Sequence, residues 1–369
     1  MVALFLCFTL IFATVASKTA PRPSTVDISY RHPHIYYHGR WDTSPGTWWA
    51  GSGFKLHIKN LHSLALNLGP FTTSPLAAVG VSLNYQDFVN FNVSAGANHI
   101  PILGSSFSSQ SEANNVIRIN VQGWQNNRIN LNSITLNADS ELLPYVPEEL
   151  SFQFIGDSLS AGQFLPQGVD QAWPFLVGEH FKAEHRINAQ PGAALSDIVS
   201  FGNVHGISYQ FFRTEDTGFY YTTDHNFTTP WDFSRDRPAA THIIIHIGAN
   251  DASQGVSNDE FITVYSDFLT RLRTIYPRQP IFVFTPWGWP NADGTIGQYY
   301  AGLYQIIVDK RTQGGDKNVF LVDTTGWVTF PDVFPDNQHP NVPGHAKIAG
   351  KFEEWLRVWG LKSHLNDLV

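Results

Sequence analysis

The hydrophobic pattern of this chain changes its period once, after Glu149, and no single sheet or bundle accommodates both halves. From Val26 to Leu143 the apolar residues come in short alternating runs. In GFKLHIKN (53–60), Phe54, Leu56 and Ile58 share one face, and Lys55, His57 and Lys59 the other. LALNLG, AVGVSLNY, NVIRINVQG and INLNSITLN continue this alternation between Gly, Asn, Ser and Pro breaks. Successive side chains of a strand point to opposite faces, so a period of two predicts half-buried antiparallel strands. Short, closely spaced strands of this kind predict an all-β sandwich over 24–143. LLPYVPEEL (142–150) carries two prolines and reads as the connection, with the linker at 144–150.

Beyond the linker, apolar runs at 151–155, 185–189, 242–247, 281–285 and 319–323 alternate with helical spacing. Over 258–275, Phe261, Val264, Tyr265, Phe268, Leu269, Leu272 and Ile275 keep one helical face. Ser257 stands three residues before Glu260, a capping-box spelling. A last helix is expected from Pro343 to Trp359, closed by Gly360. Strands alternating with helices predict a mainly parallel five-stranded sheet covered on both faces, over 151–362. In such sheets functional residues gather on loops at the carboxyl ends of strands.

MVALFLCFTLIFATVAS opens the chain as an apolar stretch ending in small residues, the form of a secretory signal over 1–17. Its apolar run is short for a spanning helix, which needs about 20 residues. The expected protein is therefore secreted and extracellular, with no membrane partner. Cys7 lies inside this segment and is the only cysteine, so the remaining chain has no disulfide. Asn92-Val-Ser94 and Asn226-Phe-Thr228 are glycosylation sequons in that setting. A net charge of −8 excludes a nucleic-acid partner. Composition leaves the oligomeric state open.

Four loop positions carry chemistry. Ser158, in FIGDSLSAG, follows the first strand of the second half; Gly192, in NAQPGAALSD, follows the second. Asn250, in HIGANDAS, follows the third. His339 precedes the last helix, with Asp336 three residues earlier. A serine hydroxyl becomes a nucleophile when a neutral imidazole takes its proton. A carboxylate such as Asp336 would fix the tautomer of His339. Acyl transfer also needs donors for the new oxyanion, available from the Ser158 and Gly192 backbone N–H groups and the Asn250 side chain. Asp157 and Asp251 are assigned local hydrogen bonds only.

These blocks, Gly156-Asp157-Ser158-Leu159, Gly192, Gly248-Ala249-Asn250-Asp251 and Asp336-Asn-Gln-His339, resemble those of the SGNH (GDSL) hydrolase superfamily. The resemblance spans roughly 150–360 and implies a three-layer α/β/α domain. With the preceding sandwich, then jelly-roll-like, the chain is similar to carbohydrate esterase family two, secreted deacetylases of plant-wall polysaccharide such as acetyl xylan esterases. GRWD (39–42), WWAGSGFKLHI (48–58) and DTTGW (323–327) add to that likeness. It implies a serine esterase without cofactor or metal, acting on an acetylated polysaccharide or oligosaccharide. Some members orient the histidine by a backbone carbonyl instead of a carboxylate. Trp327 first, then Trp287, are the candidate sugar-stacking residues, with Trp289 also following the fourth strand.

Other readings fit less well. The α/β-hydrolase elbow G-x-S-x-G fails, because Ser160 stands two residues after Ser158. His32, His34 and His38 lack the spacing of a zinc site. His246, within HIIIHI, reads as a core histidine with its hydrogen bonds satisfied. The aromatic segment Asn203–Pro238 could shape the site or pack the surface. A lipid or aryl acyl-hydrolase and an inactive carbohydrate-binding protein are the rival functions. An unperturbed His339 would lose activity by protonation near pH 6.5.

Overall fold

The alternating half folds as two antiparallel sheets of five and six strands. The computed structural model describes residues 24–47, 49–102, 114–123, 127–214 and 229–361. The expected signal segment, Trp48 and Asn226 lie outside these residues. In strand Gly53–Lys59, Phe54, Leu56 and Ile58 are fully buried. They meet Val79, Val81, Ile117 and Ile119 of the same sheet and Leu66, Leu131 and Ile134 of the other in one core. Period-two patterning thus places one face of each sheet inward.

The second half forms a five-stranded, fully parallel sheet from Ser151–Asp157, Glu184–Gln190, His242–His246, Ile281–Phe284 and Val319–Val322. Numbered along the chain, their spatial order is 2-1-3-4-5. Helices Asn258–Ile275 and Val342–Trp359 cover it. The Ser257 hydroxyl caps the former through the Glu260 N–H, and Gly360 closes the latter in a left-handed conformation. Trp173–His180 and Leu303–Gln313 add two helices. Among the described residues, no helix is long and apolar enough to cross a membrane. In this order the connections leave strand 1 to opposite sides, strand 2 lying on one and strand 3 on the other, and a crevice opens at the carboxyl ends of strands 1 and 3.

The two halves share buried polar bonds. Arg40, 2 % exposed, enters a cage of Trp49, Phe211, Trp231 and Phe233, with its guanidinium carbon 4.9–5.5 Å from their ring centres. Its Nη1 donates to the carbonyls of Gln210, at 3.3 Å, and Arg213, at 2.6 Å. Burial lowers its pKa to about 10, which still leaves a cation at neutral pH. The flanks of the segment Asn203–Pro238 therefore pack against the sandwich, with Phe211 and Trp231 buried. Asp170 accepts from Asn120 at 2.9 Å and Gln122 at 2.8 Å. Burial raises its pKa to about 7.

Removing Arg40 deletes two hydrogen bonds from a charged donor and empties a ring-lined space. Hydrogen bonds from a charged donor contribute about 1.5–3 kcal/mol each, so losing two in Arg40→Ala is expected to cost about 3–6 kcal/mol. Urea unfolding checks this: the midpoint should fall markedly, and an unchanged midpoint would refute the cage as a stabilising contact.

Candidate active site

The first strand stops because its last residues cannot continue it. Asp157 caps the short helix Ser158–Ala161, its side chain accepting from the Leu159 N–H at 3.0 Å. A Cβ on Gly156 would stand 2.5 Å from Ser160 Oγ and 2.8 Å from the His246 carbonyl, so the turn closes only over glycine. The nucleophile candidate is thereby placed at the crevice between strands 1 and 3. Asp157 is fully buried, and desolvation raises its pKa to about 7.

Strand 2 leads to Gly192, which has φ +76°, and a Cβ there would come within 2.7 Å of Phe201 Cβ. Among the described residues its N–H has no hydrogen-bond partner. Asp251 anchors the same loop, accepting from the Leu195 N–H at 2.7 Å and the Ser196 N–H at 2.9 Å. Asn250 Nδ2 donates to the Ala193 carbonyl at 3.0 Å, with Asp157 Oδ2 farther off at 3.4 Å. The carboxylates expected to make only local bonds thus hold the loops in place.

His339 Nε2 lies 2.9 Å from Ser158 Oγ. Its Nδ1 lies 3.0 Å from the backbone carbonyl of Asn337. A carbonyl only accepts, so Nδ1 carries the proton and Nε2 presents a lone pair to the serine hydroxyl. The expectation that Asp336 orients the imidazole is corrected here: Asp336 is exposed, and the Asn337 carbonyl occupies the Nδ1 position. A tight turn makes this possible. Gln338 adopts φ +57°, its N–H bonds the Phe334 carbonyl at 2.8 Å, and the His339 carbonyl accepts from the Phe334 N–H at 2.8 Å. The Gln338 amide reaches across to the Pro290 carbonyl at 2.8 Å, tying this turn to the loop after strand 4.

Ser158, Gly192, Asn250 and His339 line one pocket of about 270 Å³, with Gln163, Phe201 and Trp289 also on its wall. The two tryptophans chosen from sequence stand elsewhere. Trp287 is buried and stacked on His246, with ring centres 3.8 Å apart. Trp327 packs edge-on against Phe284 and does not line the pocket. Trp289 does, its ring centre 6.0 Å from that of His339, and Phe164 meets the imidazole edge-on at 5.0 Å. Position after strand 4 was a usable signal for Trp289 but could not separate it from Trp287. Nothing in the sequence singled out Phe164, Phe201 or Gln163.

The remaining candidates also find places. His34 Nδ1 meets the Leu142 carbonyl, and His38 Nε2 meets Asn120 Oδ1. His246 is buried as expected, but among the described residues neither ring nitrogen has a hydrogen-bond partner, and its ring instead stacks on Trp287. Asn92 is exposed on strand Val89–Val93.

Two outcomes follow from the histidine geometry. Asp336→Asn should retain kcat/KM within about threefold, whereas removing a serine or histidine that acts as one unit typically costs 10⁴-fold or more, roughly; a large loss in steady-state assays of Asp336→Asn would restore the carboxylate's role. Burial is the larger influence on the His339 pKa and the Asn337 carbonyl opposes it, leaving it below 6.5. The neutral base therefore persists into more acidic solution, and the acidic limb of kcat/KM should have its midpoint below pH 6.5. A midpoint above that value in a pH–rate profile would contradict this.

Residues 154–347, over half of the chain, match the sequence model of the GDSL-like Lipase/Acylhydrolase family. A search of curated proteins found no match. Among solved structures, a family two carbohydrate esterase from Cellvibrio japonicus is 17% identical with TM-score 0.70, covering 91% of this chain and 98% of its own. A family two carbohydrate esterase from Clostridium thermocellum, solved in complex with cellohexaose, is 18% identical with TM-score 0.68 and coverage of 88% and 98%. An acetyl xylan esterase from the rumen bacterium Butyrivibrio proteoclasticus is 14% identical with TM-score 0.70 and coverage of 91% and 98%. At these identities the likeness is one of fold, and it includes both the sandwich and the parallel-sheet domain. The family match and the loops around Ser158 lead to one conclusion: this chain belongs to the GDSL-like lipase/acylhydrolase family.

Proposed function

We propose that the chain is a secreted serine esterase that removes acetyl groups from plant-wall polysaccharide. The observation that carries this reading is the 2.9 Å approach of His339 Nε2 to Ser158 Oγ, with Nδ1 committed to a carbonyl. As Ser158 Oγ attacks the ester carbon, Nε2 takes its proton. The developing oxyanion is held by the Ser158 and Gly192 N–H groups and the Asn250 amide, donors that typically contribute ~100- to 1,000-fold each in rate. The imidazolium then gives its proton to the departing sugar oxygen as the carbon–oxygen bond breaks. Water, deprotonated by the same imidazole, attacks the acyl-enzyme carbon, and the imidazolium returns that proton to Ser158 Oγ as the carbon–Oγ bond breaks and acetate leaves.

Substrate size follows from the wall of the site. A pocket of about 270 Å³, whose lining among the described residues includes Gly192, Ala249, Asn250 and Ser253 and no Leu, Ile, Val or Met, suits a short acyl group. Trp289 and the exposed Phe201 present aromatic faces, which suit the apolar faces of pyranose rings while sugar hydroxyls stay hydrated. Fold likeness to carbohydrate esterases, one of them solved with cellohexaose, supports the same substrate class. The secreted, glycosylated form rests on the apolar opening segment and on the exposed Asn92 sequon.

On 4-nitrophenyl esters the wild type should prefer acetate over octanoate by about tenfold or more, one further buried methylene being worth about 0.8 kcal/mol only where an apolar wall receives it. It should release acetate from acetylated xylan or glucomannan, and Ser158→Ala should release none. Preference for octanoate, or absence of acetate release from both polysaccharides, would overturn the deacetylase reading.

A further inference from the structure

A second cavity, of about 610 Å³, opens between the sandwich and the parallel-sheet domain. It lies at the far end of the sheet. Glu184, on its wall, begins strand 2, while Gly192 follows the end of that seven-residue strand. At ~3.3 Å per residue the two sites stand roughly 20 Å apart. We propose that this cleft is a glycan-binding site, separate from the ester pocket, for a neutral sugar unit.

Three observations carry the proposal. The first is Tyr85, which is 54% exposed and held at φ +62°, next to Asn84 at φ +50°. Left-handed backbone is uncommon for a bulky residue and persists only where its surroundings enforce it. Here Asn84 enforces it: its N–H and side-chain carbonyl bond the Val116 carbonyl and N–H, both at 2.8 Å. The ring is thereby aimed into the cleft. Arg118 covers it at 4.6 Å from the ring centre, and its hydroxyl meets that of Tyr145 at 3.0 Å.

The second is charge. Lys55 pairs with Glu184 at 2.6 Å and Arg118 with Glu179 at 2.7 Å, all four lining the cleft. These cations and carboxylates already neutralise one another. Asp87, Glu148 and Lys182 also line the cleft outside these two pairs and leave its surplus charge negative, which disfavours an anion, whereas hydroxyl groups can donate to the carboxylates and accept from the N–H groups that the pairs leave over.

The third is an unspent acceptor beside an adjoining recess. Asn120 Nδ2 donates to the Asp170 carboxyl at 2.9 Å, which turns Asn120 Oδ1 toward His38 Nε2, 3.0 Å away. That oxygen only accepts, so Nε2 carries the proton and Nδ1 is a bare lone pair. Among the described residues, the buried Nδ1 has no hydrogen-bond partner. His38 lines a recess of about 10 Å³ that shares Lys55, Arg118, Phe175, Glu179 and Glu184 with the adjoining cleft. That space admits a hydroxyl and no ring. An aromatic wall, self-neutralised ion pairs and a donor-seeking recess together describe a pyranose with a projecting hydroxyl.

Calorimetric titration of the wild type with xylohexaose tests this. Two classes of site are expected. Tyr85→Ala should weaken one of them at least fivefold, Tyr85→Phe should retain it, and both should keep wild-type kcat/KM on 4-nitrophenyl acetate. Trp289→Ala should affect only the other class. Glu148→Ala, an exposed change at the cleft mouth, gives a second reading independent of the Tyr85 turn and should weaken the same class as Tyr85→Ala. If xylohexaose does not bind, or if all binding disappears in Trp289→Ala and none is lost in Tyr85→Ala and Glu148→Ala, the cleft is not a glycan site. Ester turnover is read separately, so loss of the esterase reading would leave this result interpretable.

Discussion

Ser158 faces His339 only because the first parallel strand is compelled to end where it does. The turn at Gly156 has no room for a Cβ, and Asp157 spends its carboxylate on the Leu159 N–H. A short helix then starts with the serine at its first position. The surrounding loops are fitted to that point by other buried acceptors. Asp251 fixes the Gly192 loop from strand 3, and the Ala193 carbonyl of that loop fixes Asn250 in return. Three strands thus share one polar knot, and the pocket forms where their loops cannot separate.

Much of this architecture was legible because it rests on periodicity and on residues with few alternatives. The alternation of Phe54, Leu56 and Ile58 gave the sandwich face, and the helical face from Phe261 to Leu272 gave a cover for the sheet. Gly156, Asp157, Gly192 and Asn250 were readable because strand-end turns constrain residue type. Their spacing along the chain followed the strands, so their convergence could be expected before any contact was known.

What escaped the sequence depends on backbone direction and on which side of a turn a ring falls. Asp336 and Asn337 are neighbours, and either a carboxylate or a main-chain oxygen can accept from an imidazole N–H. Only the left-handed Gln338 decides that the oxygen of Asn337 turns inward. Trp287 and Trp289 are separated by one glycine, yet one stacks on His246 inside the core and the other reaches the pocket. Composition treats them alike. Phe164 and Phe201 were silent for a related reason: both have positive φ, which carries their rings away from where regular backbone would send them.

The aromatic cage around Arg40 bears on how such a protein can be assembled from parts. A binding module joined by a tether can be exchanged between enzymes, since its surface is complete without the neighbour. Here the sandwich supplies a cation whose acceptors and rings belong largely to the other half. Cutting the gene at the linker would expose that cation on one fragment and uncover the rings of Phe211, Trp231 and Phe233 on the other. Separating the two halves would therefore cost stability in both before catalysis is ever tested.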